Sequence, residues 1–154
     1  MKENLQLLYL EHQKIELKAY SGFCHRLAFE TAHWIEETRK QDVGIRYVWR
    51  KGLEDAERFC FRANELLHPW NTPALQVSYP KGPPEWKFHC VVTTPGFVHD
   101  AWLGRPIPLG AYLKMMFPKN SENVQWSRFA PCESWQDSSR WSWKRPMGKV
   151  EVLL

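Results

Sequence analysis

Apolar residues recur at Leu5, Leu8, Leu10, Ile15 and Leu17 within ENLQLLYLEHQKIELK, residues 3–18. That spacing predicts a short helix, or a helix that gives way to an extended stretch. Ala19-Tyr20-Ser21-Gly22-Phe23 interrupts it, and Ser21 and Gly22 are loop residues that can deliver the chain into a new helix. From Cys24 the apolar positions are Leu27, Ala28, Ala32, Trp34 and Ile35, which predicts an amphipathic helix to about Lys40. After Gly44, Ile45-Arg46-Tyr47-Val48-Trp49 alternates like a strand. A further helical pattern follows Gly52, through Leu53, Ala56, Phe59, Cys60, Ala63, Leu66 and Leu67. Glu54 and Asp55 fall in its first turn, where a helix favours acids.

Residues 68–85 hold Pro69, Pro73, Pro80, Pro83 and Pro84. They read as an irregular connection with one short strand over Leu75 to Tyr79. WKFHCVVTT, residues 86–94, is rich in β-branched and aromatic side chains and predicts a strand. Pro95-Gly96 turns the chain, and FVHDAW, residues 97–102, is the return strand. Leu109 to Phe117 predicts a short helix ended before Pro118. The last third, with Trp126, Trp135, Trp141 and Trp143, either finishes the sheet or wraps the domain. The fold class expected is α+β: a helical portion packed on an antiparallel sheet.

At 154 residues, one domain spanning 1–154 is expected, with enough chain to bury a core unaided. Nine Trp residues are unusual, and point to a dense aromatic core or a surface that grips ligands. The net charge of +4 permits an acidic partner without demanding one, and no run of five like charges marks a nucleic-acid tail. Cys24, Cys60, Cys90 and Cys132 form no CxxC pair, so zinc-ribbon and thioredoxin motifs are excluded. MKENLQLLYLEHQK lacks the apolar segment of a signal peptide, and no stretch approaches 18 apolar residues. The expectation is a cytoplasmic protein with four free thiols, delivery elsewhere as an effector being compatible with it.

Cys24 stands where the helical pattern begins. Unpaired amides and the helix dipole at such a position favour a thiolate, the nucleophilic form. A thiolate needs a base, usually His, held by a third polar group. The hairpin over 86–102 offers His89 and, eleven residues later, Asp100. With an even loop such as Thr93 to Gly96, Val92 pairs with Phe97 and His89 directly with Asp100, on one face and about 5 Å apart. An odd loop places His99 on that face instead.

These residues resemble the papain-like thiol hydrolase superfamily. GFCHRLA, residues 22–28, is similar to the start of its nucleophile helix, and WKFHCVV followed by FVHDAW is similar to its His and Asp strands. Compact bacterial papain-like toxins, glutamine-deamidase effectors and protein N-terminal glutamine amidohydrolase are the similar members. The resemblance covers about 40 of 154 residues. It implies a papain-like α+β fold and a cysteine peptidase, amidohydrolase or deamidase acting on a protein or peptide. Cys24 is then nucleophile, His89 base and acid, and Asp100 the orienting group, with no metal or organic cofactor. Many members carry an oxyanion-holding Gln about six residues before the Cys. Lys18 stands there in this chain, with Gln13 and Gln6 the nearest upstream glutamines.

Other readings stay open. Cys24 alone suits a small buried hydrophobe, His89 a core histidine, and Asp100 a turn cap. Cys90 is expected to face away from His89, which disfavours a zinc site built from Cys24, His25, His89 and Cys90. Arg128, Arg140, Lys144 and Arg145 interleave with the late tryptophans, as in proteins that stack single-stranded nucleic acid. A non-enzymatic Trp-rich protein binding an acidic protein or single-stranded nucleic acid is therefore the alternative, and a scaffold without activity a third. Arg105 and Lys114 lie near the hairpin and are candidates for a substrate entrance.

Overall fold

Asn4 starts the first helix, α1 (Leu5–Gln13), by accepting hydrogen bonds from the Gln6 and Leu7 amides at 3.1 and 3.3 Å. Its own Nδ2 donates to the carbonyls of Asp100 and Leu103, both at 2.9 Å. A residue near the N-terminus thus ties down a loop almost one hundred positions later. The structure, a computed structural model, describes residues 3–50, 67–82, 84–86, 88–119 and 121–127. The helical pattern that opens after Gly52, Cys60, Cys132, Trp135, Trp141, Trp143 and their basic neighbours Arg128, Arg140, Lys144 and Arg145 lie outside these residues.

A 3-10 turn over Leu17–Tyr20 follows α1 and leads into α2 (Cys24–Arg39). The buried side of α2 is Leu27, Ala28, Thr31, Ala32 and Ile35, the three-and-four spacing seen in the sequence. The strand read over Ile45 to Trp49 is β1 (Gly44–Arg50). Then come α3 (Pro73–Ser78), β2 (His89–Thr94), β3 (Phe97–His99), β4 (Ile107–Pro108), α4 (Tyr112–Met116) and β5 (Val124–Ser127). The strands form one antiparallel sheet in the order β4-β3-β2-β1-β5. The architecture is α+β, with the Cys24 helix packed on the sheet that carries His89.

Both faces of the sheet are covered. On one, Ala28, Phe29, Ala32 and Ile35 of α2 meet Ile45, Tyr47, Trp49, Cys90 and Val92. On the other, Val48, Val91 and Val98 meet Trp102, Ile107, Tyr112, Met116, Phe117 and Trp126. The period-two alternation of β2 divides the faces, and Cys90 joins the α2 side as expected. Trp126 lies in β5 and finishes the sheet. It is 6% exposed, stacks on Tyr112 at 5.9 Å, and carries the Arg46 guanidinium 4.5 Å above its ring.

Two sequence expectations need correction. The strand over Leu75 to Tyr79 is instead the helix α3. Thr72 accepts from the Leu75 amide at 3.2 Å and Pro73 takes the first helical position, where its missing N–H costs nothing. The hairpin register also differs. Its loop is only Pro95-Gly96, with Gly96 at φ +85°, so Thr94 faces Phe97 and Val92 faces His99. The loop is even, so His89 and Asp100 keep the same facing, but they are not directly opposed. The return strand stops at His99. Asp100 turns the chain, its Oδ1 accepting from the Trp102 amide at 3.0 Å and its carbonyl from Leu103 N at 2.9 Å. Among the described residues no helix is long and apolar enough to cross a membrane.

Asn4→Ala removes a cap and strips two carbonyls of their donor. It is expected to lower stability by about 2–3 kcal/mol in urea unfolding. Asn4→Asp keeps the cap acceptor but sets a carboxylate against those two carbonyls, so it is expected to be no better than alanine.

Candidate active site

Cys24 and His89 are each the first residue of their element, α2 and β2. The pairing of Val48 with His89 ends the β1–β2 ladder there. Helix start and strand start meet at this end of the sheet, and the Cys24 thiol interacts with the His89 imidazole. No side chain caps α2, since its N-cap is Phe23, and no acid occupies its first turn. The positive end of the helix is therefore directed at the thiol.

His89 is 1% exposed and Asp100 fully buried. His89 Nε2 lies 2.9 Å from Asp100 Oδ2, which leaves Nδ1 as the nitrogen for Cys24. Nδ1 makes no fully formed hydrogen bond in this conformation; its link to the thiol is a looser one. Trp86 stacks on the imidazole, centroids 4.2 Å apart and planes 16° from parallel, and keeps water off its face.

The Asp100 carboxylate is fully engaged. Oδ2 also accepts from Tyr112 Oη at 2.5 Å, and Oδ1 takes the Trp102 amide. Gln6 Oε1 accepts from the Ala101 amide at 2.8 Å. Leu5 N donates to His99 Nδ1 at 3.1 Å, and His99 Nε2 lies 2.8 Å from Thr94 Oγ1. The start of α1 thus grips the end of β3 at several points, and Asp100 cannot swing away from His89.

The electrostatics follow from this packing. Burial pushes the Cys24 thiol up, but hydrogen bonds to His25 and His89, and their charge, outweigh it and lower its pKa to about 7. Burial pushes His89 down, but the charge and hydrogen bond of Asp100, helped by Cys24, raise it to about 10. The acid titrates below the base, so between those values thiolate faces imidazolium. Cys90 responds in the opposite way: burial, then the Cys24 and Asp100 charges, hold it well above the ordinary thiol range. Burial and Asp100 likewise keep the Tyr112 hydroxyl protonated.

Cys24 is partly exposed and opens on a groove of about 220 Å³. Tyr20, Gly22, Tyr79, Glu85, Trp86, Phe88 and Trp102 form the rest of its lining. Tyr20 is braced by a short hydrogen bond to Glu30, which Tyr9 and Arg26 also contact. Of the two upstream glutamines, Gln13 is exposed at the end of α1 and Gln6 is buried beside Ala101; neither lines the groove. Lys18 is exposed and paired with Glu16 at 3.2 Å. Among the described residues no group of three or more His, Cys, Asp or Glu is placed to hold a metal.

All three residues singled out in the sequence come together here. Asn4, Gln6, Trp86 and Tyr112, which hold Asp100 or cover His89, were not. Tyr112 sits in a short helical pattern that gives no sign of its partner. Arg105 and Lys114 line a different pocket from Cys24.

Iodoacetamide is expected to alkylate Cys24 increasingly as pH rises through about 7, and well before Cys90. In His89→Ala the half-point is expected to move up by at least one pH unit, because the cation that favours thiolate is gone. Mass spectrometry of each cysteine-containing peptide reads both effects; an inert Cys24 in the folded protein would remove the nucleophile. Neither a known family model nor a curated protein matches this sequence.

Proposed function

We propose that this chain is a papain-like, cysteine-dependent hydrolase that cleaves a peptide bond or a glutamine-type amide through a thioester. The observation that carries the reading is the order Asp100–His89–Cys24, with a 2.9 Å hydrogen bond as its first link and an electrostatic interaction as its second, and with Cys24 lining a groove of about 220 Å³. A buried Asp that ends in a histidine, and a histidine that ends in a depressed thiol at a helix start, is costly to build as mere packing.

In the proposed reaction the Cys24 thiolate attacks the carbonyl carbon, and the oxygen takes up the negative charge. The backbone N–H of Cys24, at the start of α2 where no side chain caps the helix, is the donor assigned to that oxygen. When the tetrahedral species collapses, the C–N bond breaks and the His89 imidazolium passes its proton to the departing amine. Water then attacks the thioester, giving a proton to the now neutral His89 as the C–S bond breaks. Acid is released and the thiolate–imidazolium pair is restored. Asp100 keeps a proton on Nε2 throughout, so that Nδ1 faces sulfur.

Wild-type protein mixed with the p-nitroanilide of an acylated glutamine, whose amine must be protonated to leave, is expected to gain one acyl mass on Cys24. Asp100→Asn is expected to slow acylation by about a thousandfold, within the range for losing oriented acid–base catalysis. The acylation rate should rise through about pH 7, as Cys24 ionises, and fall through about pH 10, as His89 loses its proton. Acylation at equal rates in wild type and Cys24→Ala would sink the proposal.

A further inference from the structure

The turn that carries Asp100 separates two cavities. Trp102 lines the groove at Cys24, while the next residue, Leu103, lines a second pocket of about 440 Å³. Among the described residues the two share no lining side chain. The second is the larger and falls within the range of small-molecule sites, roughly 300–1,000 Å³.

Its chemistry is two-sided. Trp70, Leu103, Ile107, Met115 and Pro118 supply an apolar wall, and Arg105 and Lys114 supply two positive charges. Among the described residues, no Asp or Glu lines it. Neither cation makes an ion pair among the described residues. Two like charges brought to one small pocket repel each other, and an anion between them removes that repulsion.

The walls are preformed. The Trp70 ring is 51% exposed, yet its backbone N–H donates to the Met116 carbonyl at 2.7 Å, so the indole is presented from a fixed point on α4. Leu103 is held through its carbonyl by Asn4 and through its amide by the Asp100 carbonyl. A half-exposed tryptophan on an anchored backbone is a low-entropy contact surface.

We propose that this pocket binds a small apolar carboxylate, its hydrocarbon body against Trp70, Leu103, Ile107 and Met115 and its carboxylate between Arg105 and Lys114. The planar guanidinium fork suits a planar carboxylate, and the apolar wall gives no place to a second charged group. The inference is independent of the hydrolase reading.

The test titrates the full-length protein with 2-naphthoate and with its neutral counterpart 2-naphthamide. NMR follows the Trp70 indole N–H, identified by its loss in Trp70→Phe. Naphthoate is expected to shift that signal with a Kd of about 1 mM or tighter. Naphthamide is expected to bind at least about fivefold more weakly, since it forgoes both charge contacts. The double variant Arg105→Gln/Lys114→Gln, altered at two exposed positions, should bind acid and amide alike. Trp70→Ala, read on backbone amides of α4, should weaken both. Cys24→Ala should bind naphthoate as wild type does, which keeps this result separate from acylation. Equal binding of acid and amide by wild type, a stationary Trp70 signal, or unchanged naphthoate binding in the double variant overturns the proposal. So does binding of acetyl-Gly-Gly-Phe with a free carboxylate when naphthoate fails, which would assign the pocket to peptide C-termini.

Discussion

The His89–Asp100 contact is the constraint around which the described part of the chain is arranged. Two ionisable groups lie at 1% and 0% exposure with their polar atoms 2.9 Å apart. Removing such a pair from water costs several kcal/mol for each ion, and the cost is offset only if every remaining lone pair finds a donor. Tyr112 and the Trp102 amide supply two such donors to the carboxylate beside His89, and His89 Nδ1 is left facing the thiol. Those donors must themselves be held, and this is why Asn4 and Gln6, at the other end of the chain, bind the backbone of residues 100, 101 and 103. Losing one partner of the pair would leave a buried charge without compensation, a penalty of about 3–5 kcal/mol.

The same pair gives the cysteine its character. A thiol against a sheet would normally be raised in pKa, as Cys90 is. Cys24 differs because its helix starts uncapped beside an imidazole that a buried carboxylate keeps charged. Cys24 and Cys90 both pack on the α2 side of the sheet, but Cys90 is the more deeply buried and is raised chiefly by that burial, whereas at Cys24 the neighbouring histidines outweigh it. Trp86 strengthens the effect by excluding water from the imidazole face, where solvent would otherwise screen the interaction.

The Asp100–Leu103 turn links the two cavities physically. Its first residue orients the histidine, its third lines the groove at the thiol, and its last lines the cationic pocket. The turn is anchored at both ends, by the Asp100 side chain inside and by Asn4 outside. A short return strand is the consequence: the hydrogen bonds that would extend β3 are spent on making this corner.

Much of this was legible in the sequence, for a definite reason. Helix α2, strand β1 and the hairpin rest on local periodicity and on turn chemistry, and the order of Cys24, His89 and Asp100 could be read from where each falls in those elements. Parity was posed by the sequence and left open between an even and an odd loop; the two-residue loop Pro95-Gly96 settles it as even and puts His89 and Asp100 on one facing. What the sequence could not decide was the register within that parity. It depends on Asp100 preferring a side-chain turn to a strand, and on donors supplied from α1 and α4. The helix over Pro73–Ser78 was legible in principle, from Thr72-Pro73 as cap and first position, but the surrounding prolines hid it. Tyr112, Asn4, Gln6 and Trp86 carried no local mark at all. Their roles exist only because tertiary packing brings them to one buried carboxylate and its histidine. Local pattern therefore determined which elements form and where the reactive residues sit upon them. Only the tertiary structure decided their pKa values and contacts, because charge and burial act through space rather than along the chain.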